Sequence, residues 1–267
     1  MHSLINIISR KKFNGEIYFQ TRFFDKNGRC IKAISFPEIN SRAKAYFCSR
    51  EKLEHILIQT MPKDEIEQYG ILSIEEVKRI LALPVKNQND ARNILIALLG
   101  ITCGLGVSEI RNLKREQIKP NDMLLIKSSQ ASRLIPFIIN LKGRLNRMNS
   151  FIPDSLFVIP NISNKDKPCD PISITRGLSS VLATIKISKD RNIVPSNLWE
   201  TFINLLVNCN KEIEMNTIDY LCGFYHAEPD ELKRRTDYIF AIQGMMMKLN
   251  DLKYVTTDMN WFGNHNT

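Results

Sequence analysis

From Leu72 to Phe137 apolar and polar residues fall in blocks that can be read as elements one after another. Leu72-Ser73-Ile74-Glu75-Glu76-Val77 opens a helix. The Ser73 hydroxyl can cap the first turn, Glu76 three residues on can close a capping box, and Leu72 can staple onto Val77. Val77, Ile80 and Leu81 recur at helical spacing until Pro84 breaks the pattern, and a polar loop follows from Lys86 to Asp90. Ile94, Leu95, Leu98 and Leu99 begin a second, more apolar helix, which runs into a tight turn between Gly104 and Gly106. Ser108 is then placed to cap a third helix carrying Glu109, Ile110 and Leu113. Two β-runs, Met123 to Lys127 and Arg133 to Phe137, joined by the polar link Ser128 to Ser132, predict a hairpin.

Residues 1–70 carry a different rhythm. Gly15 to Phe24 alternates in the β manner, Asp25-Lys26-Asn27-Gly28 is a strong turn signal, and Arg29 to Phe36 makes a return strand. Ser41 to Ile58 reads as helix, with Ala43, Tyr46, Phe47, Leu53 and Ile56 as its apolar positions, and Ile58 to Gly70 as a linker too short for another domain. Beyond the hairpin, Asn140 to Met148 is a basic helix and residues 151–170 are a surface connection. Ile172 to Ile185 and the strongly apolar Val194 to Asn208 are further helices. The expected class is therefore α+β: a small β-sheet-plus-helix module over 1–70, then a mainly helical domain with one hairpin over 71–267.

Composition narrows the function. Of 267 residues, 43% are hydrophobic and 24% charged, an ordinary soluble balance. The net charge of +9 suits a nucleic-acid partner without demanding one. Residues 1–70 hold twelve Lys/Arg against eight Asp/Glu, so the basic excess is shared along the chain. No apolar run approaches a membrane span, and the start lacks the order of charges a signal peptide needs. The six scattered cysteines contain no C-x-x-C pair and read as reduced cytoplasmic thiols, not as a metal site or disulfide frame. No Gly-rich phosphate loop or cofactor motif stands out, so no cofactor and no metal are expected.

The order of motifs resembles the catalytic domain of the tyrosine recombinases, or phage integrases. The family's LT-x-x-E is similar to Leu72 to Glu76, its TGLR-x-SEL-x-x-L to Cys103 to Leu113, and its R-x-x-P to Arg133 to Pro136. Residues 1–70 resemble, more faintly, the arm-binding module at the N-terminus of many integrases, which lays a three-stranded sheet in a DNA groove. The resemblance implies duplex DNA as partner. On that implication Arg22, Lys26, Arg29 and Lys32 are phosphate and groove contacts, or else solvated hairpin charges, and Arg111, Lys114, Arg115, Arg133, Lys142 and Arg144 are further contacts on the second domain.

The same alignment implies a decayed site. The first catalytic arginine falls on Gly106 and the hairpin lysine on Ser128, with Lys127 one residue early and pointing to the opposite face. The H-x-L-R-H box falls on Ser196 to Glu200, so that Ser196 and Trp199 replace a histidine and an arginine, and Phe224 stands where a later histidine belongs. Tyr238, in Arg235-Thr236-Asp237-Tyr238, is the one counterpart of the nucleophile, and half-buried packing is its alternative role. Tyrosine attack on a phosphodiester builds charge that positioned donors must stabilise, each worth roughly a hundredfold in rate. Gly106 and Trp199 offer no guanidinium. The expectation is a catalytically inactive accessory or regulatory factor of DNA recombination, from a phage or mobile element. Through the segment Ile239 to Tyr254, where Met245-Met246-Met247 are adaptable contacts, it would pair with an active recombinase or with itself, or else that helix packs on its own domain. The alternatives are an active divergent recombinase using Tyr238 and a protein-interaction scaffold that binds no DNA.

Overall fold

The computed structural model describes residues 4–58, 61–119, 123–127, 132–136, 139–209, 213–223, 244, 245 and 249. The chain begins with an antiparallel meander: β1 (Ile5–Lys11), β2 (Ile17–Phe24) and β3 (Cys30–Phe36), in that order across the sheet. Pattern reading anticipated β2 and β3. It passed over β1, whose apolar residues occupy only half of a short stretch that turns polar at Ser9. Its register with β2 pairs Ile5 with Phe23 and Ile7 with Thr21. Ile5, Ile7, Phe19, Thr21 and Phe23 therefore share a buried face, while Asn6, Arg10, Gln20 and Arg22 share the opposite one. The expected turn between β2 and β3 forms as read: Gly28 takes a φ of 80°, and the Asp25 carboxylate accepts the N–H groups of Asn27 and Arg29.

α1 (Arg42–Leu57) covers the inner face of this sheet. Its capping serine, Ser41, accepts the Lys44 N–H at 3.0 Å, and Ser49 lies 2.8 Å from the Thr21 hydroxyl beneath it. The stretch read as a plain linker contains one short helix, α2 (Lys63–Gln68), which anchors on buried Ile66.

The second region is built around α4 (Gln88–Cys103), buried continuously from Ile94 to Cys103. α3 (Ile74–Leu81) precedes it with the expected capping box: the Ser73 Oγ accepts the Glu76 N–H at 3.3 Å and Glu76 Oε2 accepts the Ser73 N–H at 2.8 Å. α4 starts inside the predicted polar loop, because Asn87 caps it by accepting the Asp90 N–H at 2.9 Å. α5 (Val107–Asn112) follows, then β4 (Ile118–Lys119), β5 (Met123–Lys127) and β6 (Ser132–Pro136) in a second antiparallel sheet. α6 (Ile139–Phe151) and α7 (Pro171–Thr184) pack on α4, and α8 (Leu198–Cys209) crosses it. α9 (Met215–Leu221) follows α8. The connection over 151–170 is less superficial than expected, since Val158, Ile159 and Cys169 are buried in it.

Two close approaches fix the α4–α8 crossing. A Cβ built on Gly100 would stand 2.5 Å from Leu198, and one on Gly104 would stand 2.5 Å from the Phe202 ring. Gly104 also closes α4 in the left-handed region, with φ 62°. Around these contacts the apolar core is continuous from Leu4 of the first sheet to Leu221 of α9.

Candidate functional site

The motif positions lie on the N-termini of α5 and α8, the end of α9 and the hairpin. Their local geometry begins with Glu109. The sequence placed the cap of α5 at Ser108, but the structure places it at Gly106, because Glu109 reaches back to take the Gly106 N–H at 2.9 Å. The same carboxylate forms a two-point ion pair with Arg133 of β6, at 2.5 and 3.0 Å. Arg133 Nε donates to the Leu221 carbonyl at 3.1 Å, and Gly223 lies directly against the guanidinium. A Tyr220 hydroxyl that accepts the Leu134 N–H completes the tie between β6 and α9. Three of the motifs are thus brought together, and Arg133 is what joins them.

That role corrects one expectation. Arg133, read as a DNA contact, is 6% exposed and turned inward, where Glu109 and a carbonyl occupy its donors. Three other arginines named as DNA contacts also fasten backbone. Arg111 donates to Cys169 O, Arg115 to the carbonyls of Ile152 and Pro153, and Arg144 to those of Leu81 and Leu83, the last holding the C-terminal end of α3. Burial lowers Arg115 and Arg144 from their ordinary value, because desolvation disfavours the charged guanidinium. Sequence shows that an arginine is present but not which way a tertiary contact turns it.

The remaining cations lie nearer solvent. Arg22, Arg29 and Lys32 are exposed on the first sheet, and Lys26 is paired with Glu65 at 2.8 Å in an exposed bridge. Lys142 is exposed on α6 and Lys114 is half-buried. Lys127 is exposed at the end of β5, opposite Ser132. Tyr238, Ser128 and Phe224 lie outside the described residues, as does most of the C-terminal segment assigned to pairing. Met245 and Leu249, which are described, are buried in the chain's own core.

The α8 end is occupied by packing. Ser196 is exposed in a short 3-10 turn, Pro195–Asn197, so the helix proper starts at Leu198, later than read. Trp199 meets the Tyr46 ring of α1 edge-on, with centroids 5.2 Å apart. Beside it the Tyr46 hydroxyl donates to Glu200 Oε2 at 3.2 Å and accepts from Asn204 Nδ2 at 3.2 Å, while the same amide donates to Glu200 O at 2.7 Å. Burial, then the Glu200 charge, pushes the Tyr46 phenol well above its ordinary 10.0, so it stays protonated and donating. From α9, Asp219 accepts the N–H groups of Ala43 at 2.7 Å and Arg42 at 3.2 Å, neutralising the first turn of α1. This network was missed because the pairs that tie α1 to α8 and α9 are more than 150 residues apart in sequence.

Chemically, this site holds no prepared thiol nucleophile. Burial raises the Cys103 thiol to about 12 and the Cys222 thiol further still. Among the described residues no three His, Cys, Asp or Glu side chains gather to hold a metal, and no helix is long and apolar enough to cross a membrane.

No protein-family model and no curated protein matches the sequence. The structure is similar to solved recombinases and integrases. XerA recombinase is 16% identical over 72% of this chain and 74% of its own, with a TM-score of 0.48. The integrase of mycobacterium phage Brujita is 14% identical over 82% and 73%, with a TM-score of 0.49. The lambda integrase catalytic core is 15% identical over 60% and 94%, with a TM-score of 0.44.

Proposed function

We propose that this protein is a DNA-binding, tyrosine-recombinase-like factor without strand-cleaving activity, acting as an accessory or regulator in DNA recombination. The observation that carries the reading concerns the two positions where the motifs would require guanidinium groups. Gly106 serves there as the cap of α5, and Trp199 as a packing contact for α1. An exposed Ser196 adds at most one neutral hydrogen bond. Among the described residues no arginine stands at either motif position to stabilise the charge that develops on attack at a phosphodiester. Support for DNA as the partner comes from the net charge of +9 and the exposed Arg22, Arg29 and Lys32 of the first sheet.

The test uses nicked suicide duplexes, with denaturing gels run beside a Tyr238→Phe control. The expected result is duplex binding whose logarithm falls linearly with the logarithm of salt concentration, with no covalent band. A covalent band that disappears in Tyr238→Phe would make the protein an active, rewired recombinase. Binding that is absent, or indifferent to salt, would favour a protein-interaction scaffold.

A further inference from the structure

The hairpin joining β1 to β2 extends past the buried part of the first sheet and ends in an aromatic ring. Ser9, Arg10 and Lys11 on one strand and Glu16 and Ile17 on the other are exposed, and Phe13 at the tip is fully so. The turn itself is firm. Lys12 N–H donates to Glu16 O at 2.7 Å, Gly15 N–H returns to Lys12 O at 3.0 Å, and Gly15 adopts φ 90°. Asn14 Oδ1 also accepts the Glu16 N–H, at 3.2 Å. Glycine at 15 and asparagine at 14 meet the demands of that turn, whereas nothing in it requires a phenyl ring at 13. The turn therefore presents a large apolar ring to solvent at its tip.

Its surroundings say what would cover it. Arg10, Lys11 and Lys12 immediately precede Phe13 in the chain; Glu16 is bridged to Lys12 at 3.0 Å in an exposed pair, and Glu38 also lies within electrostatic reach of Lys12. The outward face of the sheet continues this surface with Asn6, Gln20 and Arg22, and Arg10 Nη2 donates to Gln20 Oε1 at 3.1 Å. Amide and guanidinium groups along strands, with cations at the tip, complement a polyanion whose interior is apolar. We propose that Phe13 is a wedge that enters a base step of duplex DNA, unstacking and bending it, while Lys11 and Lys12 hold the adjacent phosphates. The inference rests on the DNA-binding reading above and adds to it a specific deforming residue.

The experiment uses the full chain with mixed-sequence duplexes of about 30 bp, each carrying 2-aminopurine at one pyrimidine–purine step, the kind most easily unstacked. Salt-dependent affinity, 2-aminopurine fluorescence and end-to-end energy transfer are read together. The wild type is expected to raise the fluorescence and bring the ends closer. Phe13→Ala should lose both and bind about 5- to 100-fold more weakly, with its salt slope unchanged, and Phe13→Trp should retain them. Lys11→Ala should lower the salt slope by about one. If Phe13→Ala binds, unstacks and bends like the wild type, the wedge is overturned while the DNA reading stands. If no duplex is bound, both fail. If Phe13 is instead needed for sedimentation with anionic vesicles and not for duplex binding, the tip belongs to a lipid surface and the wedge is overturned.

Discussion

Gly106 and Trp199 are the two positions where the motif resemblance would put an arginine, and their surroundings differ in a way that can be measured. At Gly106 φ is −76°, and a Cβ would meet nothing nearer than Glu109 Oε2 at 3.9 Å. Gly106→Arg should therefore fold normally, with a stability change within about 1 kcal/mol. Trp199→Arg should lose about 2–4 kcal/mol, because it removes an aromatic contact and sets a charge against the Tyr46 ring. Gly104→Ala should also be costly, roughly 2–5 kcal/mol, since it combines φ 62° with a collision against Phe202. Urea denaturation of the three variants checks this order. A Gly106→Arg protein less stable than Trp199→Arg would mean that the α5 cap is tighter than its geometry indicates.

Among elements, α3 shows what sequence can and cannot disclose. Its capping box was legible because Ser73 and Glu76 satisfy each other within one turn. The second use of Glu76 was not. Arg191, from the far side of the chain, pairs with that carboxylate and also donates to the Gln68 and Ile71 carbonyls. Burial alone would raise Glu76, but the Arg191 hydrogen bonds and the Ser73 N–H outweigh it and hold the carboxyl below its ordinary 4.5. A depressed carboxyl stabilises the fold above 4.5 and loses that contribution as pH falls through the lowered value. Thermal stability should thus decline on acidification from about pH 4.5 downward, and Glu76→Gln should flatten that part of the profile while lowering stability at pH 7. A variant with the wild-type slope would assign acid sensitivity to other carboxylates. The same divide runs through the rest of the chain. The β2–β3 turn and the helix of α1 were legible from neighbours in sequence, whereas the cap at Gly106 and the inward turn of Arg133 depend on β6 and α9.

For the whole molecule, the question is whether the N-terminal sheet and α1 fold as an independent module, as the sequence pattern suggested. α1 is capped by Asp219 of α9 and joined through Tyr46 to Glu200, Asn204 and Trp199 of α8, so its polar ends and its central ring depend on the second region. Burial raises Asp219 from its ordinary 3.8 despite those N–H bonds, which marks the contact as enclosed. Segments sharing enclosed polar contacts and a continuous apolar core unfold together. Denaturant unfolding followed by circular dichroism and by tryptophan fluorescence should give coincident single transitions. Tyr46→Phe, which keeps the ring and deletes the hydroxyl, should lower stability by about 1–3 kcal/mol, and a cycle with Glu200→Gln should show coupling above about 0.5 kcal/mol. Two separate transitions, or strictly additive substitutions, would mean that α1 rests on α8 without being held by it. In that case residues 1–70 would unfold apart from the helical region. A coupled result instead makes the first sheet and the helical region one rigid body, joined through the contacts of Tyr46 with Trp199, Glu200 and Asn204.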